Sequence, residues 1–365
     1  MRTIIPLELK CEYTVNPLGI DVVQPRFSWI LESSQRGEVQ TAYQILVASS
    51  EGKLKADDAD KWDSKKVISD QSVNVAYKGR ALASGEKCYW KVRVWDTNGK
   101  VSPYTKTATF EMGLLKSDDW EGKWIRGGNL FRNEFTFDKD IRKARAYICG
   151  LGYHELRING RKVGDHVLDP GWTDYTKRIL YVTYDITDYL KTGANAVGVM
   201  LGNGWYSPLK VTLKESPMTR RKYGNSPVLL LQMRIDFTDD SSMRVVSDDT
   251  TWKTIQDPII RDDIYDGEIY DARLRKSGWD TSPYDDYRWD VAKIADSPGG
   301  ELVSQASFPP IRVVKRMQPQ RIINPEPGVY VYDFGQNFAG WVKLRITGTE
   351  GSKVTLRYAE LLFNR

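Results

Sequence analysis

The chain has 365 residues, room for two or three domains, and an ordinary globular balance of 41% hydrophobic and 28% charged residues. Lys and Arg total 53 against 48 Asp and Glu, and the cations are scattered among acids without a basic run, so no nucleic-acid partner is expected. Two histidines and three widely spaced cysteines (Cys11, Cys88 and Cys149) argue against a histidine zinc site, a Ser-His-Asp triad, a CxxC motif and a full disulfide framework; buried reduced thiols are expected instead.

The opening MRTIIPLELK lacks the apolar core of a signal peptide. No segment reaches the roughly 18 apolar residues of a membrane span, so no membrane contact is expected. A removed leader would leave no mark, so the compartment stays open at this point.

Alternation with a period of two dominates the chain, and helical periodicity is rare. AYQILVAS (Ala42 to Ser49) sets Tyr43, Ile45 and Val47 on one face. YWKVRVWD (Tyr89 to Asp96) does the same with Trp90, Val92 and Val94, and an Asn98–Gly99 turn leads to the strand TATFEM. Cys88 shares that parity and should point into the first core, with Cys149 in the core of the next module. Short strands at regular spacing read as a β-sandwich over residues 1–114.

KSDDWEGKWI (Lys116 to Ile125) reads as a linker into a second sandwich over 115–298. HELRINGRKVGD predicts a hairpin with Leu156 and Ile158 inward and Asn159–Gly160 in a type I′ turn. RILYVTYDI, NAVGVML and VLLLQMRIDF predict further strands. TDYLKTGAN (Thr187 to Asn195) predicts one short helix capped by Thr187 or Asp188 and stopped by Gly193. The remainder, 299–365, carries three strand signals, VYVYDF, WVKLRIT and KVTLRYAE. Three strands fall short of the about seven of a closed sandwich, so this third module is expected to be truncated or to share a sheet.

Two features have a chemical reading. The acids Asp262, Asp263, Asp266, Glu268 and Asp271 crowd IIRDDIYDGEIYDAR, either as an acid/base pair or cation site, or as a solvated loop with turn-forming aspartates. DPGWTDYTKR (Asp169 to Arg178) and LGNGWY (Leu201 to Tyr206) hold tryptophans on glycine-rich turns. A sugar ring has an apolar C–H face and a hydroxyl rim, which an exposed aromatic with adjacent Asp or Asn matches. Tryptophans folded back as plugs on the ends of the sandwich are the alternative.

Taken together, these segments resemble the bacterial α-L-rhamnosidases of glycoside hydrolase family 78. LKCEYTVNPLGIDVVQPRFSWIL and QTAYQILVAS are similar to the fibronectin-III-like N-terminal module. LRINGRKVGDHVLDPGWTDYTKRILYVTYDIT, LGNGWY, YDGEIYDARL and GWD resemble the β-jelly-roll that follows it. YDFGQNFAGWVKLRITGTEGSKVTLRYAELL resembles the start of the next β-sandwich. The resemblance implies an all-β chain that forms the accessory front of an enzyme releasing terminal L-rhamnose from glycans. In that family a helical barrel carries the catalytic acids, so the barrel is an implied partner and no catalytic residue is assigned here.

Some members use the jelly-roll to bind rhamnose with calcium. The carbohydrate-binding residues expected on that basis are Trp172, Asp174, Asn203, Trp205 and Tyr206, with Asp169, Asp174 and Asn203 as oxygen donors to calcium. A spacer that binds nothing is the alternative. The periplasm or the outside of the cell is the expected location, with the cytoplasm as the alternative.

Overall fold

The computed structural model describes residues 4–207, 223–256, 258–264 and 267–361. Asp266 lies outside the described residues. The fold is all-β, and the chain divides into two compact units between Ile311 and Arg312.

The first unit holds two sandwiches. In the N-terminal one, a sheet of Ile5–Cys11, Arg26–Glu32 and Val75–Ala76 faces a larger sheet. The larger sheet runs Leu18–Ile20, Ala108–Met112, Lys87–Trp95, Ala42–Ala48 and Trp62–Asp63, with Val67–Ile68 also pairing to Ala42–Ala48. Along Lys87–Trp95 every second residue is buried, and Cys88, Trp90, Val92 and Val94 all enter the core beside Phe27 and Phe110. Ala42–Ala48 is buried at every position, so its second face is not open as its alternation implied. Leu46 and Ala48 lie under Leu54 of a five-residue helix, Glu51–Lys55, that the sequence reading did not anticipate. Ser50 caps it by accepting from the Lys53 amide.

The second sandwich packs a seven-stranded sheet on a six-stranded one. The first has the order Lys293–Ile294, Ile125–Arg126, Val228–Phe237, Ile141–Leu151, Arg178–Asp185 and Glu301–Ser304, with Ser242–Val246 off its path. The second runs Arg161–Lys162, Tyr153–Ile158, Gly193–Gly202, Leu130–Phe137, Lys253–Ile255 and Asp290–Val291. Leu156 and Ile158 point into the core between them, and Asn159 and Gly160 take the positive φ values, 49° and 80°, of the predicted turn. The predicted helix at Thr187 shortens to one 3-10 turn, Thr187–Tyr189. Its Thr187 hydroxyl accepts from the Ala144 amide instead of capping, and Gly193 already opens the next strand.

The large sheet is covered on its outer face too. Tyr147, Cys149, Leu151, Tyr175, Ile179, Tyr181, Val228 and Leu230 form a separate aromatic core there, with Leu114, Trp120 and Trp124 packed on it. Cys149 therefore belongs to this outer core, not to the one between the sheets. The stretch read as a linker is part of the packing. Trp120 stands edge-on to Tyr181 at 5.2 Å, and Asp119 accepts from the Ser84 hydroxyl and the Leu115 and Lys116 amides. A buried ion pair joins the two modules: Glu111, on Ala108–Met112, holds Arg145, on Ile141–Leu151, through two bonds of 2.8 and 2.9 Å. All three cysteines are free and buried.

Among the described residues of the second unit, Arg321–Glu326 and Val329–Asp333 form a hairpin. Among the described residues, the predicted strands at 341–347 and 353–360 have no strand pairing, and Trp341, Ile346 and Tyr358 are exposed. Alternation records which faces a strand would bury; it does not supply the neighbouring strand that satisfies the backbone.

Candidate functional site

Three loops meet at one end of the outer aromatic core. The first is the tight link between Ile141–Leu151 and Tyr153–Ile158. A Cβ on its Gly152 would lie 2.1 Å from the Asn203 carbonyl oxygen, so only glycine allows the approach. The second loop, 203–207, follows Gly193–Gly202. The Asn203 amide donates to Asp262 at 2.7 Å, its side-chain nitrogen donates to the same carboxylate at 3.0 Å, and its side-chain oxygen accepts from Ser207. Burial raises the Asp262 pKa above the usual carboxylate value, and the charge of Asp263 adds to the shift.

The third loop carries Trp172. Its indole is 60% exposed and stacks on Trp205, with ring centroids 4.7 Å apart and planes 21° from parallel. Trp205 is half-buried on the outer core and shares a hydrogen bond with Tyr153. Tyr206 is buried, edge-on to Tyr175 at 5.5 Å. Tyr175 is fully buried, and its hydroxyl finds no partner among the described residues. Burial pushes that hydroxyl's pKa up. Asp174 accepts from the amide and hydroxyl of Thr176, and its carbonyl accepts from the Lys177 and Arg178 amides, an Asx-type turn that shapes the loop.

Asp169, at the base of the loop, is 3% exposed. One carboxylate oxygen meets His166 Nδ1 and the Tyr184 hydroxyl, both at 2.7 Å; the other accepts from Gln305 at 2.8 Å. Burial would raise its pKa, but the His166 bond, the His154 charge and the Tyr184 bond together hold it below the usual value.

The structure thus brings Trp172 and Trp205 together, with Tyr206 and Asn203 on the same loop as Trp205. It leaves the expected calcium donors dispersed in role: Asp169 is engaged inside the protein, Asn203 is engaged with Asp262 and Ser207, and Asp174 shapes its own turn. Among the described residues, no group of three or more His, Cys, Asp or Glu is gathered to hold a metal ion. Sequence reasoning missed Tyr153, Tyr175 and Gln305 as parts of this assembly. It singled out Asp262 as an acid but did not link it to Asn203, and nothing in the sequence pointed to Gln305.

The comparisons fall on this architecture in order. Residues 6–116 match the model of a Rha78A-like, N-terminal immunoglobulin domain. Residues 139–315 match the α-L-rhamnosidase N-terminal domain, and residues 323–365 match the bacterial α-L-rhamnosidase concanavalin-like domain. The chain carries the N-terminal β-domains of the α-L-rhamnosidases of glycoside hydrolase family 78. An α-L-rhamnosidase of Formosa agariphila is 38% identical over 95% of this chain and 39% of its own length. One from an Alteromonas species is 35% identical over 98% of this chain and 40% of its own. The chain therefore spans about two fifths of these relatives. The structure of α-L-rhamnosidase from Dictyoglumus thermophilum superposes with a TM-score of 0.82 at 42% identity, over 91% of this chain and 38% of that one. That of the Streptomyces avermitilis enzyme, complexed with L-rhamnose, gives 0.83 at 25% identity, over 92% and 49%.

Proposed function

We propose that this chain is the N-terminal accessory region of an α-L-rhamnosidase, and that the Trp172–Trp205 ledge holds a terminal L-rhamnose of the glycan substrate. The observation that carries the reading is the exposed Trp172 ring, backed by Trp205 and left open on its outer side. A large aromatic surface kept in water at a fixed orientation fits the C–H face and methyl group of a deoxyhexose. The names of the relatives support the sugar class. Hydrolysis of terminal α-L-rhamnose is the activity proposed for the complete enzyme, with the acid pair on a helical catalytic barrel as the partner of this region. The expected calcium donors Asp169, Asp174 and Asn203 are engaged within the protein, so the reading rests on the aromatic rings.

Calorimetry with L-rhamnose, with and without calcium, is the test. One ring buries little area against the cost of association, so a Kd on the order of 0.1–1 mM is expected. Trp172→Ala abolishes binding and leaves Tm within a few degrees, because the removed ring is mostly in water. No measurable heat from the unmodified chain at high millimolar L-rhamnose sinks the reading.

The spacer reading has its own support. Tyr206 is an end-plug, and Asn203 is committed to Asp262 and Ser207. Its signature is a Trp205→Ala variant that loses the fold together with a parent chain that binds no sugar.

A further inference from the structure

We propose that Gln305 is a positioning residue for the ledge, acting with Asp169 to fix the backbone from which Trp172 projects. The inference rests on the proposed carbohydrate reading for its consequence, but not for its geometry.

Gln305 lies 133 residues beyond Trp172 in sequence, just after the strand Glu301–Ser304. Its amide nitrogen donates to the Tyr181 carbonyl at 2.9 Å, which ties it to the large sheet. Its side chain is buried, and both ends of the side-chain amide are used. Oε1 accepts from the Gly171 backbone at 2.7 Å, and Nε2 donates to Asp169 Oδ1 at 2.8 Å. One side chain therefore spans Pro170, holding the residues before and after it. Asp169 is held in turn by Tyr184 and His166, and its carbonyl accepts from the His154 amide at 2.7 Å.

This bracing ends one residue before Trp172. The indole itself is 60% exposed, and its ring contact is the stack on Trp205. Where the ring stands is thus decided largely by the backbone at Gly171. Without the clasp, Gly171 N–H and Asp169 Oδ1 lose their partners and the loop samples more orientations. A ligand must then re-order it, which lowers affinity without removing a ligand contact.

A second buried glutamine separates this role from plain stability. Gln232 bridges the Asp119 carbonyl and the Glu121 amide, at 2.8 and 2.7 Å, as part of the packing at Trp120. The experiment uses the full chain labelled with fluorotryptophan, with the Trp172 and Trp205 fluorine signals assigned through Trp172→Phe and Trp205→Phe. In Gln305→Leu the Trp172 signal moves toward the free-indole position, and L-rhamnose affinity falls roughly three- to tenfold. Gln232→Leu leaves both unchanged. The reciprocal pair Asp169→Asn with Gln305→Glu keeps a donor facing each acceptor and restores the signal. Should Gln305→Leu fail to fold, Gln305→Asn, which withdraws the amide by one methylene, is judged by the same readings. An unmoved Trp172 signal, or an equal movement in Gln232→Leu, overturns the proposal. If the parent chain binds no L-rhamnose but the signal moves as described, the sugar reading falls and the positioning role stands.

Discussion

Glu111→Gln tests the buried ionic contact between the two sandwiches. The substitution keeps the shape of the side chain and removes its charge. Glu111 and Arg145 expose only 3% and 5% of their side chains, so solvent screens the pair little. Glu111 also accepts from Lys143 at 3.1 Å. Breaking a buried pair by neutralising one partner costs about 3–5 kcal/mol, because the other charge stays buried. Arg145 keeps Asp185 at 2.7 Å and its own Ala144 carbonyl, so the lower end, about 3 kcal/mol, is expected. Urea unfolding followed by tryptophan fluorescence measures it. The control is Glu121→Gln, whose partner Arg244 is half-exposed on the surface. That change should cost less than about 1 kcal/mol. Equal midpoints for the two variants would refute the argument that the junction is a desolvated ionic contact.

Gly152→Ala should destabilise by roughly 3 kcal/mol or more, read in the same urea assay, since its Cβ meets backbone that cannot step aside; a loss below about 1 kcal/mol contradicts the packing of the three loops. His154 should make folding acid-sensitive. Burial lowers its pKa from 6.5 to about 4, so the unfolded chain takes up the proton first. The contribution is complete above pH 6.5 and is lost as pH falls toward 4, about 3 kcal/mol in all. His154→Asn, whose side-chain oxygen can still accept from the Gly150 amide, should flatten stability against pH across that window by about one proton. The three thiols should stay unlabelled until the chain unfolds, since each is buried and burial pushes the Cys88 thiol up to about 12; rapid native-state labelling of Cys88 would count against the first core.

Much of this fold was legible because one-faced burial writes itself as alternation. Trp90, Val92 and Val94 are on one side of a strand whose other side is half in water, and the Asn159–Gly160 turn needs residues that tolerate positive φ. VLLLQMRIDF was legible as a strand, but its nearly unbroken burial records a second core that no period of two can announce. That core gathers side chains from Leu114 to Leu302, at most three of them from any one strand. The tryptophan turns were visible as composition. What they do was not, because Trp172 and Trp205 differ only in what lies beneath them, and Asn203 is claimed by Asp262, 59 residues away. At 341–347 and 353–360 the alternation predicted strands and the structure assigns none, because pairing is a property of neighbours, not of the segment.

The connector between the two sandwiches has a consequence for how a polymer is met. Trp120 and Trp124 are tiled onto the sheet, and Glu111 is locked to Arg145, so the joint between the modules cannot act as a swivel. On the proposed reading, a glycan end resting on Trp172 would be presented at a set bearing relative to the N-terminal module. For any second foothold on this body, reach is a matter of ruler length: a chain of matching span gains avidity, and one a few ångströms short gains none.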